Sequence, residues 1–401
     1  MNQKIIQDFI GLIKYALGNK HIKFEEVKWE KIFQLAFSHH VEVIIYEATA
    51  SMSEEEIPKG LTKKKIEEIL YPFILKDANQ ISGVESLIKE FDEQNLSVVM
   101  LKGWVMKELY PRTDYRYSAD TDIFIHVEDE KAIHNIIMSH EFSCNGIGEK
   151  KDTVYFKQFN TIEIHKNLFM YEESWNSVFN DPDSHMCIWK RLEKLDGYSN
   201  IYVMDADLFY VYHLAHMVKH LINGGGGIGV KAILDLWVYR TANSEKMDFK
   251  RINFDLDILG LTEFADTAWK LAISWFANDN IVYPNNTIKQ FGDFIVSCGA
   301  YGHSENYVMN SEALYNAKRP NRVGYIVRRA FPSKKSMEKR FPVIKEHPVS
   351  LPFYWIKRLW RDGFRRKKEV IGEVDSAWNV NYEKVERLHR LYREWGVPRV
   401  E

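Results

Sequence analysis

A cluster of short, β-branched apolar runs between residues 96 and 172 interrupts a chain whose other apolar residues recur at helical spacing. LSVVML, DTDIFIHV, TVYFKQF and TIEIHKNLF are too short for independent helices. They are rich in the Val, Ile, Thr, Phe and Tyr that suit a pleated surface. LSVVML ends at Lys102-Gly103. WVMKELY then reads as a short helix stopped by Pro111, and DEKAIHNIIMSHEF as a second helix opened by acids, which suit the positive end of a helix. The last two runs join through Asn160 as a hairpin. The order strand, helix, strand, helix, strand, strand predicts a small mixed sheet in a protein of the α+β class.

Large helical regions are expected on both sides of this core. Upstream, in residues 1–95, IIQDFIGLIKYAL, WEKIFQLAFSHHVEVIIYEA and ILYPFILKDANQISGVESLIKEFDEQN carry helical periodicity, with a break at Ser53, Glu56 and the Pro58-Lys59-Gly60 stretch. Downstream, in 173–317, DADLFYVYHLAHMVKHLI, GIGVKAILDLWVYRTA and LTEFADTAWKLAISWFA read as three helices, the first two separated by Gly224 to Gly227. The remaining segment, 318–401, holds Pro320, Pro332, Pro342, Pro348 and Pro352. It is expected to be extended and looped before WIKRLWRDGFRRKK, to end in a further helix, and to pack on the body of the protein.

Composition narrows the functional classes. The chain has 401 residues, of which 45% are hydrophobic and 14% aromatic, enough for two or three packed domains and inconsistent with wholesale disorder. A net charge of −2 hides an asymmetry, because Lys318 to Lys368 holds 17 Lys/Arg against only Glu338, Glu346 and Asp362. Cys144, Cys187 and Cys298 are far apart and form no CxxC pattern, which argues for a reducing compartment without a disulfide framework or a cysteine zinc site. MNQKIIQDFIGLIKYALGNK lacks the apolar core and cleavage site of a signal peptide, and no run of about 18 apolar residues occurs. A cytoplasmic protein without a membrane span is expected.

The chemistry concentrates around DTDIFIHV. Residues two apart on a strand share a face, so Asp120 and Asp122 project together, about 7 Å apart. Two neighbouring carboxylates repel, and burying both is unfavourable unless a cation sits between them. Ile123 and Ile125, with Val127, can meanwhile face the core. Glu163 in TIEIHKNL is flanked by Ile162 and Ile164 and therefore lies on the opposite face from both, which makes it a third acid. Hard oxygen donors of this kind suit Mg²⁺ or Mn²⁺. Three such carboxylates on adjacent strands can hold two divalent ions, which serve an in-line phosphoryl displacement.

The residues before the acids suit phosphates. Lys102-Gly103 sits where a strand meets a helix, and glycine allows backbone N–H groups to approach an anion closely. Lys102 adds a point charge, and Arg112 and Arg116 add bidentate donors.

These features, taken as LKG, LYP, Arg116 followed by SADTDIFI, and IEIH, resemble the bacterial uncharacterised nucleotidyltransferases of the polymerase β-like superfamily. DLFYVYHLAHMVKH, GIGVKAILDLWV and RRAFPSKKSMEKRFP are similar to the same family, so the resemblance runs from roughly residue 30 to 360. It implies a nucleotidyltransferase-type sheet over 96–172, with Asp120, Asp122 and Glu163 as metal ligands. It also implies transfer of a nucleoside monophosphate from a nucleoside triphosphate to an acceptor whose identity the resemblance leaves open. Lys102, Gly103, Arg116 and Arg112 would hold the nucleotide. The wider superfamily places Gly-Ser or Gly-Gly at the phosphate turn, whereas Trp104 follows Gly103 here. That departure motivates an alternative, a catalytically inactive nucleotide-sensing or protein-interaction module on the same fold.

Three further features have weaker readings. His165 shares the face of Glu163 and is a candidate for the cleft, against a structural role bonded to backbone. His213, His216 and His220 fall within about a 60° arc of one helix. His216 and His220 are candidates for lining the cleft, and core packing is the competing reading. Asp235 is their candidate partner or a cap for the glycine turn. The glycine run lacks the Lys-Ser/Thr ending of a phosphate loop and reads as an inter-helix connection. The basic stretch with Phe353, Tyr354, Trp355 and Trp360 could suit nucleic acid, but its apolar anchors favour docking on its own protein.

Overall fold

A computed structural model of the chain describes residues 2–144, 152–169, 173–222, 227–300, 302, 324, 327, 330–341, 343–365 and 382–398. They fall in two compact units, one formed by Met1–Lys219 with Ile228–Ala300 and the other by His220–Gly227 with Tyr301–Glu401. Pro320, Pro342, the glycines at 224–226 and the basic residues at 366–368 lie outside the described residues.

The first unit opens with α1 (Gln3–Ala16), whose Asn2 cap accepts the Lys4 backbone N–H at 2.9 Å. The single periodic run from Trp29 becomes two helices, α2 (Trp29–His39) and α3 (Glu42–Ala50). His40 separates them with a left-handed φ of 54°, and its N–H closes on Ala36 and Phe37. Apolar spacing continues through this corner because both helices bury residues, so periodicity alone does not reveal it. Thr62 caps α4 (Lys63–Glu93), the longest helix of the unit.

A seven-stranded mixed sheet follows, in the order β3-β4-β5-β2-β1-β7-β6. Its strands are β1 (Val98–Met100), β2 (Thr121–Ile125), β3 (Ser143–Cys144), β4 (Thr153–Lys157), β5 (Asn160–His165), β6 (Leu192–Lys194) and β7 (Ile201–Met204). Two helices lie between them, α5 (Gly103–Lys107) and α6 (Glu130–Ser139). The four expected strands are present, and β4 and β5 pair antiparallel as the hairpin, with Lys157 opposite Asn160. β6 and β7 were not expected. They form a second antiparallel hairpin through Asp196-Gly197, and β7 runs parallel to β1. The Asp-Gly pair before IYVM is the turn signal that marks it.

One sheet face carries the core. Val98, Met100, Ile123, Ile125, Ile162, Ile164 and Ile201 pack there against Val84, Leu87, Ile88 and Phe91 of α4 and Ile133, Ile136 and Ile137 of α6. Burying each such side chain contributes about 1.5–3 kcal/mol. Val127 does not join them, because β2 ends at Ile125 and the chain turns into a short 3₁₀ segment that leaves Val127 exposed. With one face covered by α4 and α6, the alternate residues of β2 and β5 emerge on the other.

The unit is completed by α7 (Glu173–Asn180), α8 (Ala206–Ile222, its last turn falling in the other unit), α9 (Gly229–Asn243), α10 (Phe249–Ile258), α11 (Thr262–Phe276) and α12 (Asn286–Cys298). The ion network of Arg191 with Asp205 and Asp255, each at 2.7 Å, ties the second hairpin to α10.

In the second unit, the stretch expected to be extended before WIKRLWRDGFRRKK is instead helical over Lys334–Arg340 and Val343–Glu346, and a further helix, Leu351–Arg365, runs on from it. The described prolines of this segment sit at helix starts, where a missing N–H costs nothing. Pro332 precedes the Ser333 cap, Pro348 opens a 3₁₀ turn, and Pro352 is the second residue of its helix. The terminal helix is Tyr382–Glu394. No helix among the described residues is long and apolar enough to cross a membrane.

Candidate active site

Strand register builds the site. β2 and β5 run parallel with Asp122 opposite Glu163 and Phe124 opposite His165. Paired residues point to the same face, and neighbouring strands lie about 4.8 Å apart. Ligand atoms of Asp122, Glu163 and His165 consequently lie within 4.8 Å of one another. The acid of β2 and the acid of β5 meet as the sequence pattern anticipated. Asp120 lies one residue before β2 begins and is half-buried. Its carboxylate accepts the Ser118 hydroxyl at 3.3 Å, and its charge bears on Glu163 and Lys102.

One oxygen of Asp122 organises the charges. Oδ1 accepts from Lys102 Nζ at 2.8 Å and from His165 Nε2 at 2.6 Å. Burial alone would raise the Asp122 pKa, but the lysine and the histidine hold it far below the usual carboxylate range. Burial would also lower His165, yet hydrogen bonds to Asp122 and Asp152 raise it to about 9. Its Nδ1 lies 3.1 Å from Asp152 Oδ1, so both ring nitrogens donate and the imidazolium is locked between two acids. Asp152 was not anticipated, because it stands outside every strand motif. Glu163 moves the other way, since burial and the charges of Asp122 and Asp120 raise its pKa.

The loop before β2 is arranged around Gly103. Lys102 has φ 40° and ψ −109°, a left-handed backbone that non-glycine residues rarely adopt. A Cβ on Gly103 would lie 2.9 Å from Ser118 Oγ and 3.6 Å from Arg116 NH1. No serine follows Gly103 in the chain, but Ser118 brings a hydroxyl against it in space. Arg116 is buried, and its Nε donates to both oxygens of Asp235 at 2.8 Å. Tyr110 donates to the same carboxylate at 2.7 Å. Asp235 thus partners Arg116 and Tyr110.

The other candidates are placed differently. Arg112 pairs with Glu47 and, at 2.6 Å, with Asp114. It lines a groove of about 570 Å³ with Ile74, Asp77, Ile81 and Glu85 of α4. His213 stacks on Phe209 and contacts the Ala232 carbonyl at 3.3 Å. His216 is half-buried with its ring 5.9 Å from that of Tyr212, and His220 is exposed. Neither belongs to the cluster of Asp122, Glu163 and His165. Lys231 was not among the expected site residues. It stands one helical turn before Asp235 on α9, and its Nζ donates to the Tyr117 carbonyl at 3.0 Å. A lysine and an aspartate four residues apart after a glycine run was the available signal.

Residues 25–277 match the uncharacterised nucleotidyltransferases. The chain belongs to that family. The nucleotidyltransferase match covers the whole sheet, the Asp122–Glu163 pair and α9 with Lys231. Among solved structures, the antibiotic-resistance factor ANT(2'')-Ia is 12% identical over 46% of this chain and 96% of that chain, with a TM-score of 0.34, too distant to inform the site. No curated protein sequence matches the chain.

Proposed function

We propose that this nucleotidyltransferase moves a nucleoside monophosphate from a nucleoside triphosphate to an acceptor, using a divalent cation held by Asp120, Asp122 and Glu163. The observation that carries the reading is the register of β2 on β5, which sets Asp122 opposite Glu163 on the face away from α4 and α6. The donor chemistry fits Mg²⁺ or Mn²⁺. Both His165 nitrogens are engaged as donors to carboxylates, which leaves oxygen ligands, the preference of these hard ions. When bound, the cation neutralises charge on the phosphates and acidifies the acceptor hydroxyl.

The chain's own groups divide the remaining work. Lys102 and His165 keep Asp122 ionised and therefore ready as a ligand. His165, fixed by Asp152, orients that carboxylate. Glu163 has its proton affinity raised by burial and by Asp122, which suits it to take the proton of the acceptor hydroxyl. Gly103, Arg116 and the strained Lys102 turn form the phosphate side.

Thermal denaturation tests the reading. Each of the four nucleoside triphosphates is added with Mg²⁺ or with a chelator. At least one is expected to raise the melting temperature only with Mg²⁺, and Asp122→Ala is expected to abolish that rise. No metal-dependent rise with any nucleotide would contradict it and favour the interaction module, to which the Trp104 substitution points.

A further inference from the structure

We infer that Lys231 of α9 is a further side chain that binds the nucleotide's phosphates, an assignment that rests on the nucleotidyl-transfer reading above. The argument is one of charge. The basic groups around the site are matched by carboxylates, Lys102 by Asp122 at 2.8 Å, Arg116 by Asp235 at 2.8 Å, and Arg112 by Glu47 and Asp114. Lys231 forms no such pair among the described residues, its bond being to the carbonyl of Tyr117. That carbonyl also accepts Arg116 NH1 at 3.2 Å, and the same NH1 lies 3.6 Å from the position of a Cβ on Gly103. Two cationic donors therefore converge on one oxygen beside the Gly103 turn, with Asp235 engaged by the arginine.

Burial and the neighbouring Arg116 lower the Lys231 ammonium to about 7, against the opposing charges of Asp235, Asp120 and Glu42. Those carboxylates act on it from a distance without offsetting that burial, and a phosphate in direct contact would. Lys76 is the contrasting case. It also reaches the loop, but it is held at the Tyr117 hydroxyl with its ammonium 4.8 Å from that ring centroid.

Calorimetric titration of the full chain provides the test, with each of the four nucleoside triphosphates plus Mg²⁺ and, separately, inorganic tripolyphosphate. Lys231→Met is expected to weaken the nucleotide that binds, and tripolyphosphate, by about tenfold to a hundredfold. Lys231→Arg is expected to keep most of the affinity, and Lys76→Gln nearly all of it. Without ligand, Lys231→Met is expected to melt no lower than the unmodified chain, because a charge disfavoured by burial and held in no direct ion pair has been removed. Unchanged affinity in Lys231→Met overturns the assignment, as does a ligand-free melting temperature well below that of the unmodified chain, which would mark a structural hydrogen bond. If the unmodified chain binds none of the five compounds, the nucleotidyl-transfer reading itself falls, a result distinct from either.

Discussion

His165 illustrates how far a single residue's chemistry depends on its neighbours. Its place two residues after Glu163 made it a candidate, but nothing in TIEIHKNL announced the second acid, Asp152, on its other nitrogen. With two carboxylates on one ring, the folded-state pKa rises to about 9 despite burial. The unfolded value is about 6.5. Because the folded value is the higher, the histidine's contribution to stability is complete below about pH 6.5 and is lost as pH rises through about 9. Denaturation midpoints in the presence of a chelator are expected to fall across that window. The fall is expected to flatten in His165→Gln, and an equal pH slope in both proteins would count against the two-acid clamp. Lys231 makes the complementary point, since a lysine in GIGVKAILDLWV looks like any solvated helix residue until the fold brings Arg116 and Tyr117 to it.

At the scale of elements, the part legible in the sequence was the part governed by local alternation. Asp122 between Thr121 and Ile123, and Glu163 between Ile162 and Ile164, declare which face each acid takes. Parallel register then makes the two faces coincide. The hairpin of β6 and β7 was missed because LEK and IYVM are short, the first mostly exposed and the second buried only at its two ends, so neither alternates cleanly. Pro332, Pro348 and Pro352 misled for a different reason, since proline opens helices as readily as it ends them. The start of α9, which carries Lys231 and Asp235, depends on Gly229. Its φ is 62°, and a Cβ there would lie 2.9 Å from the Ala300 backbone and 3.2 Å from His39 Nδ1. Gly229→Ala is expected to cost roughly 1–3 kcal/mol, through both the strained φ and the collision. A lowered melting temperature would show it, whereas an unchanged one would contradict the tight docking of α9.

Across the whole molecule, the site draws on residues that lie far apart in the chain: Lys102, Asp122, Glu163 and Lys231. The sequence could name the carboxylates, because two acids on strands need a reason to be there. It could not name the ion pairs, since which of several arginines and lysines meets which acid is decided by tertiary packing. The central claim is that Asp122 and Glu163, with Asp120 beside them, hold a divalent cation together with a triphosphate. The most direct measurement is the paramagnetic resonance of Mn²⁺ titrated into the full chain with a non-hydrolysable nucleoside triphosphate, compared with Asp122→Asn and Glu163→Gln. The account predicts that the unmodified chain with triphosphate immobilises Mn²⁺ and that each substitution weakens this by tenfold or more beyond binding to the nucleotide alone. Mn²⁺ that behaves identically in all three proteins would contradict it.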